Sequence, residues 1–174
     1  MKDLVIIEND WTASLAQAGF LLHKGWNDQL AAKLVDASKE QAMLENVPRD
    51  AKERFPDSQA AHRWQSGSKR AIYSLFQDDN LAGIVWFTYH PRPDLDADYT
   101  YAIRMYELSR GKGLAYDFTR AAQTDFTVSD GYKGAIWLET NSDNAPARKL
   151  YEKFGYKLVS ENEGRLTFVY KSSE

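Results

Sequence analysis

Residues 109–115 read Ser-Arg-Gly-Lys-Gly-Leu-Ala and separate two runs of opposite periodicity. Residues 99–106 (YTYAIRMY) are rich in aromatic and β-branched side chains and read as a strand. After the glycines, Leu114, Phe118, Ala121, Ala122 and Phe126 recur at helical spacing. A strand, a glycine turn and a helix N-terminus in that order make an anion site. The first amides of a helix lack internal partners, and the dipole is positive at that end. Glycine lets the backbone approach a phosphate closely. The dinucleotide pattern G-x-G-x-x-G fails because Tyr116 stands at its third glycine. A P-loop fails because Lys112 is followed by Gly113. A phosphate-bearing cofactor of another kind is expected.

A second segment lies farther along. Residues 135–140 (AIWLET) read as a short strand, followed by the string NSDNAPARKLYEKFGY over 141–156. Asp143 or Asn144 can cap the helix that follows, Pro146 suits its first turn, and Gly155 ends it. Ala147, Leu150, Tyr151 and Phe154 share a face, with Lys149 and Lys153 toward the negative end. Arg110, Gly113 and Ala115 fit the pattern [Q/R]-x-x-G-x-[G/A]. Asn144, Ala147, Leu150, Tyr151, Glu152, Lys153, Gly155 and Tyr156 fit N-x-x-A-x-x-L-Y-E-K-x-G-[FY]. In this order the two segments resemble the two signatures of the GNAT family of N-acetyltransferases, over roughly residues 69–171.

The chain has 174 residues, enough for one domain with a real core. Its net charge of −3 argues against a nucleic-acid partner, which normally needs a basic stripe. No apolar run reaches transmembrane length and no signal peptide opens the chain, so no membrane partner is expected. Without cysteine there is no disulfide, thiolate metal site or cysteine nucleophile, and the three histidines lack metal-ligand spacing. A cytoplasmic setting and no metal are expected. Residues 1–8 can form a strand. Residues 10–65 read as largely helical, with Leu30, Leu34, Ala37 and Leu44 near one face. Residues 69–77 and 81–89 read as a hairpin, 91–98 as a loop, and 156–160 with 165–171 as a last hairpin. The order predicts an α/β (α+β) mixed sheet with helices on both faces, in agreement with the GNAT-like fold that the resemblance implies. Residues 1–68 would be a mainly helical acceptor-side region and 69–171 the cofactor-binding sheet and helices, within a single domain spanning 1–174.

The resemblance implies acetyl transfer from acetyl-CoA to a primary amine by direct attack. The amides of Arg110, Gly111, Lys112, Gly113, Leu114 and Ala115 would hold the pyrophosphate. The backbone around Ile103 and Met105 would bind the pantetheine arm and polarise the carbonyl, with Asn144 and Ala147 as cofactor-side residues of the next helix. Tyr151 matches the family tyrosine that approaches the sulfur. A phenol with a pKa of about 10 stays protonated at neutral pH and can donate to a thiolate of pKa about 8.5. Glu139, on the strand before that helix, matches a glutamate proposed as general base in relatives that acetylate ribosomal-protein N-termini; Asp98 and Glu107 are alternatives. The acceptor stays open: a small amine, a polyamine, an amino acid, or a protein N-terminus or lysine. A homodimer is a further expectation. A non-catalytic acyl-CoA-binding or regulatory module on the same fold, or an unrelated phosphate-binding α/β protein, fits some of the same residues.

Overall fold

The structure, a computed structural model, describes residues 4–171. Its N-terminal part runs β1 (Val5–Ile6), α1 (Thr12–Gln17), β2 (Leu21–Lys24), α2 (Asp28–Ala37), α3 (Gln41–Asn46), a π-helical turn (Asp50–Arg54) and α4 (Ser58–Ser66). The remainder is β3 (Arg70–Gln77), β4 (Asn80–Arg92), a 3-10 turn (Pro93–Leu95), β5 (Ala97–Met105), α5 (Ala115–Val128), β6 (Ala135–Asn141), α6 (Ala145–Lys153), β7 (Lys157–Asn162) and β8 (Arg165–Tyr170). The strands form one eight-stranded sheet in the order β1-β2-β3-β4-β5-β6-β8-β7. Every neighbouring pair is antiparallel except β5 and β6, the parallel pair that α5 connects.

Strand alternation sends one set of side chains to each face. Val85, Phe87, Tyr99, Tyr101, Ile136 and Leu138 meet Leu15 of α1, Phe118 and Phe126 of α5, and Tyr151 and Phe154 at α6. Ile72, Ile84 and Trp86 meet Leu30 and Leu34 of α2, Met43 of α3 and Phe55. Phe87, Phe118, Phe154 and Phe168 are fully buried, and each such side chain contributes about 1.5–3 kcal/mol relative to exposure. Gly83 is required where β4, β5 and α5 converge. A Cβ there would stand 3.0 Å from the Phe118 ring and 3.1 Å from the Arg104 carbonyl.

Three details differ from the sequence reading. The region read as largely helical contains β2, because Gly19 at φ +84° ends α1 and Leu21–Lys24 then pairs with β3. Leu44 is exposed and Met43 is buried, because the chain breaks near Ser38–Glu40 and α3 starts on a new phase. The segment 91–98 is not a plain loop: Pro91 and Arg92 end β4, Pro93–Leu95 form the 3-10 turn, and Ala97 and Asp98 begin β5. Pro91 is tolerated in β4 because the ladder breaks register between Tyr89 and Arg92, where its missing N–H costs nothing. No helix of the described residues is long and apolar enough to cross a membrane.

Candidate active site

The parallel β5–β6 pair is short. Ala97, Tyr99 and Thr100 face Ala135, Ile136 and Trp137, and pairing then stops although β5 continues to Met105 and β6 to Asn141. From there β5 is held only by β4. The Tyr106 amide donates to Ala82 of β4, so by the two-residue period Ile103 and Met105 point their peptide groups away from β4, toward the gap. Guanidinium groups reach both carbonyls: Arg104 Nη1 donates to Ile103 at 2.9 Å, and Arg110 Nη2 to Met105 at 3.3 Å.

The glycine turn sits at the end of this free edge. Buried Ser109 anchors it by donating its hydroxyl to the Ala82 carbonyl. Gly111 (φ +76°) and Gly113 (φ +73°) occupy the left-handed region, and an added Cβ at either would meet nothing within 4 Å. Leu114 opens α5 without a side-chain cap. Among the described residues, the amides of Gly111, Gly113, Ala115, Tyr116 and Asp117 have no acceptor. Open space and unpartnered amides at a positive helix end fit an oxyanion. The side chains of this loop look elsewhere. Arg110 pairs with Glu40 at 2.9 Å, and the Lys112 ammonium lies 5.3 Å from the Phe20 ring centroid.

Across the gap, Asn144 caps α6 by accepting the Ala147 amide. Two turns on, Tyr151 is 9% exposed and packs edge-on to Tyr101, with Tyr156 and Phe168 beside it. Its hydroxyl makes no hydrogen bond among the described residues, yet it is not one of the sealed, unpartnered polar atoms, unlike the Tyr106 and Tyr156 hydroxyls. Burial raises the Tyr151 phenol above its ordinary pKa, with the Arg104 charge opposing.

Glu139 lies on the other face of the sheet. It follows Leu138, which packs with Tyr151, and sits two residues past Trp137, the last residue of β6 that pairs with β5. Its carboxylate is flanked by Arg92 at 3.6 Å and Arg165 at 3.5 Å, with the Thr167 hydroxyl at 3.5 Å. That face is the one on which α2, α3 and α4 pack against β3 and β4: Trp137 stands opposite Thr100, in line with Ala102 and Trp86, and packs with Ala97, Ala135 and Val169. The structure thus gathers Ile103, Met105, the 110–115 loop and α6 around one gap, with Tyr151 on one side of the sheet and Glu139 on the other.

Four charged residues near the gap were not singled out by sequence reasoning. Glu40 accepts the Glu107 amide and the Arg110 guanidinium, tying α3 to the glycine turn. Asp50 is 1% exposed and accepts from Arg104 at 2.7 Å and Arg54 at 2.6 Å. The Arg54–Asp50 pair is visible as an i,i+4 spacing; the others join residues far apart in sequence and carry no local signal. A cavity of about 1030 Å³, lined by Lys24, Trp26, Lys69, Tyr89, Tyr99 and Tyr132, touches neither the loop nor Tyr151 or Glu139.

Comparison with solved structures finds the same fold. The ribosomal-protein-S5-alanine acetyltransferase of Vibrio fischeri superposes with a TM-score of 0.67 at 10% identity, covering 96% of each chain. A GNAT-family acetyltransferase of Bacillus anthracis gives 0.66 at 12% identity, covering 96% of this chain and 98% of that one. The N-acetyltransferase PseH of Campylobacter jejuni, in complex with acetyl coenzyme A, gives 0.57 at 15% identity, covering 88% and 99%. Comparison with curated proteins finds no match. Residues 40–156 match the acetyltransferase (GNAT) family, a span that takes in the glycine turn, the gap and α6. This chain belongs to the GNAT family and is an acetyl-CoA-dependent N-acetyltransferase.

Proposed function

We propose that the donor thioester lies in the gap between β5 and β6, with Tyr151 as general acid and Glu139 as general base on opposite faces of the sheet. The observation that carries this is the loss of β5–β6 pairing after Thr100, directly before the residues whose peptide groups face the opening. The amides of the 110–115 loop would hold the pyrophosphate, with the backbone of Ile103 and Met105 along the pantetheine arm. Asn144 and Ala147 would lie on the cofactor side of α6.

The amine nitrogen attacks the thioester carbonyl carbon; the C–N bond forms and the C–S bond breaks. Most primary amines are protonated at neutral pH, so one proton must leave before attack. Glu139, directly or through water, accepts the proton lost on the acceptor side. Tyr151 gives its proton to the departing sulfur on the other side. The second nitrogen proton leaves as the amide forms and restores the phenol through solvent, so the products are an amide, the free thiol and one proton on Glu139. Burial that raises the phenol also disfavours a bare thiolate, so acid and leaving group shift together. Facing positions suit the reaction, because the nucleophile enters from one side and the leaving group departs on another.

Residues 1–68 would form the acceptor side, since α2, α3 and α4 cover the face that carries Glu139. The net charge of −3 favours a small or peptidic amine over a nucleic acid, and the absence of cysteine is compatible with a cytoplasmic setting. It also makes a thiol-reactive dye a clean assay, because only released CoA reacts. A panel of amines should yield thiol in an acetyl-CoA-dependent manner. In Glu139→Gln the acidic limb of the pH–rate profile should disappear; an unchanged limb would remove Glu139 as base.

A further inference from the structure

One cluster on the acceptor side gathers three arginines around a single buried carboxylate. Arg54 and Arg104 both bind Asp50, with side chains 25% and 14% exposed. Arg54 uses only its Nη1 for this, so its remaining donors have no partner among the described residues. Arg70 stacks on Trp64 at 4.5 Å, donates Nη1 to the Trp64 carbonyl, and leaves its buried Nε unpartnered. Burial, and after it the charge of Arg54, lowers the Arg70 pKa. Arg54 and Arg104 both lie over the Trp86 ring, at 5.8 and 4.9 Å, and Trp86 meets Trp64 edge-on. The cluster is therefore three guanidiniums on two tryptophans with one buried carboxylate, in a chain of net negative charge. Glu40, the other carboxylate acting on neighbouring Tyr106, is committed to Arg110 and the Glu107 amide.

Guanidinium groups in a water-poor setting are costly without an anion, and their planar fork matches an oxyanion. Arg104 also binds the carbonyl of Ile103 at the gap, so the cluster borders the place proposed for the thioester. We propose that Arg54, Arg70 and Arg104 form an oxyanion subsite of the acceptor pocket, and that the acceptor is a small amine bearing a carboxylate or phosphate. This rests on the placement of the acceptor given above. The anion supplies the charge the fold lacks, and the amine then points toward the gap.

The test uses matched pairs differing only in the anion: β-alanine against its amide, and aminoethyl phosphate against ethanolamine. Each is titrated calorimetrically into protein saturated with CoA. The acidic member of at least one pair should bind about tenfold or more tightly, and which pair does so names the oxyanion. Arg54→Gln and Arg70→Gln should each reduce that ratio about fivefold, with melting curves confirming folded protein; Arg54→Lys should restore part of it. A ratio near one for both pairs, or a ratio that survives both glutamine substitutions, would overturn the subsite. Thiol release from the same amines reads a separate matter. A preserved ratio without release would break the acid–base assignment and leave the subsite standing.

Discussion

Helices α5 and α6 flank the same gap, yet they begin in opposite ways. Helix α6 is closed by its own sequence: Asn144 accepts the Ala147 amide. Helices α2 and α4 do the same with Asn27 and Asp57. Helix α5, the longest, starts at Leu114 with no side-chain cap, behind two glycines in the left-handed region. A missing cap is worth about 1 kcal/mol, a cost that α2, α4 and α6 avoid and that only the short α1 and α3 share with α5. The difference assigns the work. On the proposed reading, helix α5 would offer backbone amides to an anion, whereas α6, self-sufficient at its start, would contribute a side chain, Tyr151.

The largest expected effect separates the two helices by kinetics. Tyr151→Phe should lower turnover about 100-fold or more while the acetyl-CoA Kd changes less than about twofold. Stopped-flow thiol release beside calorimetry reads both, and unchanged turnover would remove Tyr151 from the chemistry. The next tests how α5 is held. Asp125, on its second half, accepts from Lys24 of β2 at 2.8 Å, from the Tyr73 hydroxyl at 2.8 Å and from Ser129. Burial alone would raise its carboxyl, but these donors outweigh burial and hold it below its ordinary value of 3.8. A carboxylate lowered in the folded state stabilises fully above its unfolded pKa and loses that contribution as pH falls through the folded value. Asp125→Asn should therefore cost about 1–3 kcal/mol near pH 7 in urea unfolding, and the deficit should shrink below about pH 4. A deficit independent of pH would show that the pair stabilises by packing alone.

Two further substitutions exchange the helix starts. Leu114→Asp installs a cap where the fold has none. It should weaken acetyl-CoA binding about tenfold or more and raise apo stability by up to about 1 kcal/mol, offset by the loss of a largely buried leucine. Tighter binding would contradict the anion role of that helix end. Asn144→Ala should cost about 1 kcal/mol of stability. A cofactor affinity that falls by much more than the loss of folding explains would show that Asn144 also touches the cofactor.

What could be read from the sequence follows from contiguity. The glycine turn and the α6 string are local patterns, because backbone chemistry and helix capping depend on neighbours in the chain. The break between β5 and β6 had no such signature, since it depends on where two strands stop pairing. Strand β2 was hidden inside a helical reading because LLHK is too short to show a period of its own. Glu40 and Asp50 reach the site across separations of 70 and 54 residues, so their contacts with Arg110 and Arg104 emerge only from the fold. Glu139 was readable as a strand carboxylate, but its two arginine neighbours come from β4 and β8.

The most direct measurement is amide resolved. Backbone shifts and hydrogen exchange of Gly111, Gly113, Ala115, Tyr116, Asp117 and Ala147 would be followed as acetyl-CoA is added. Large shifts and new protection are expected at the amides from Gly111 to Asp117 that lack an acceptor, with little change at Ala147, which Asn144 already satisfies. Protection that leaves 111–117 unchanged would contradict the anion role of the glycine turn.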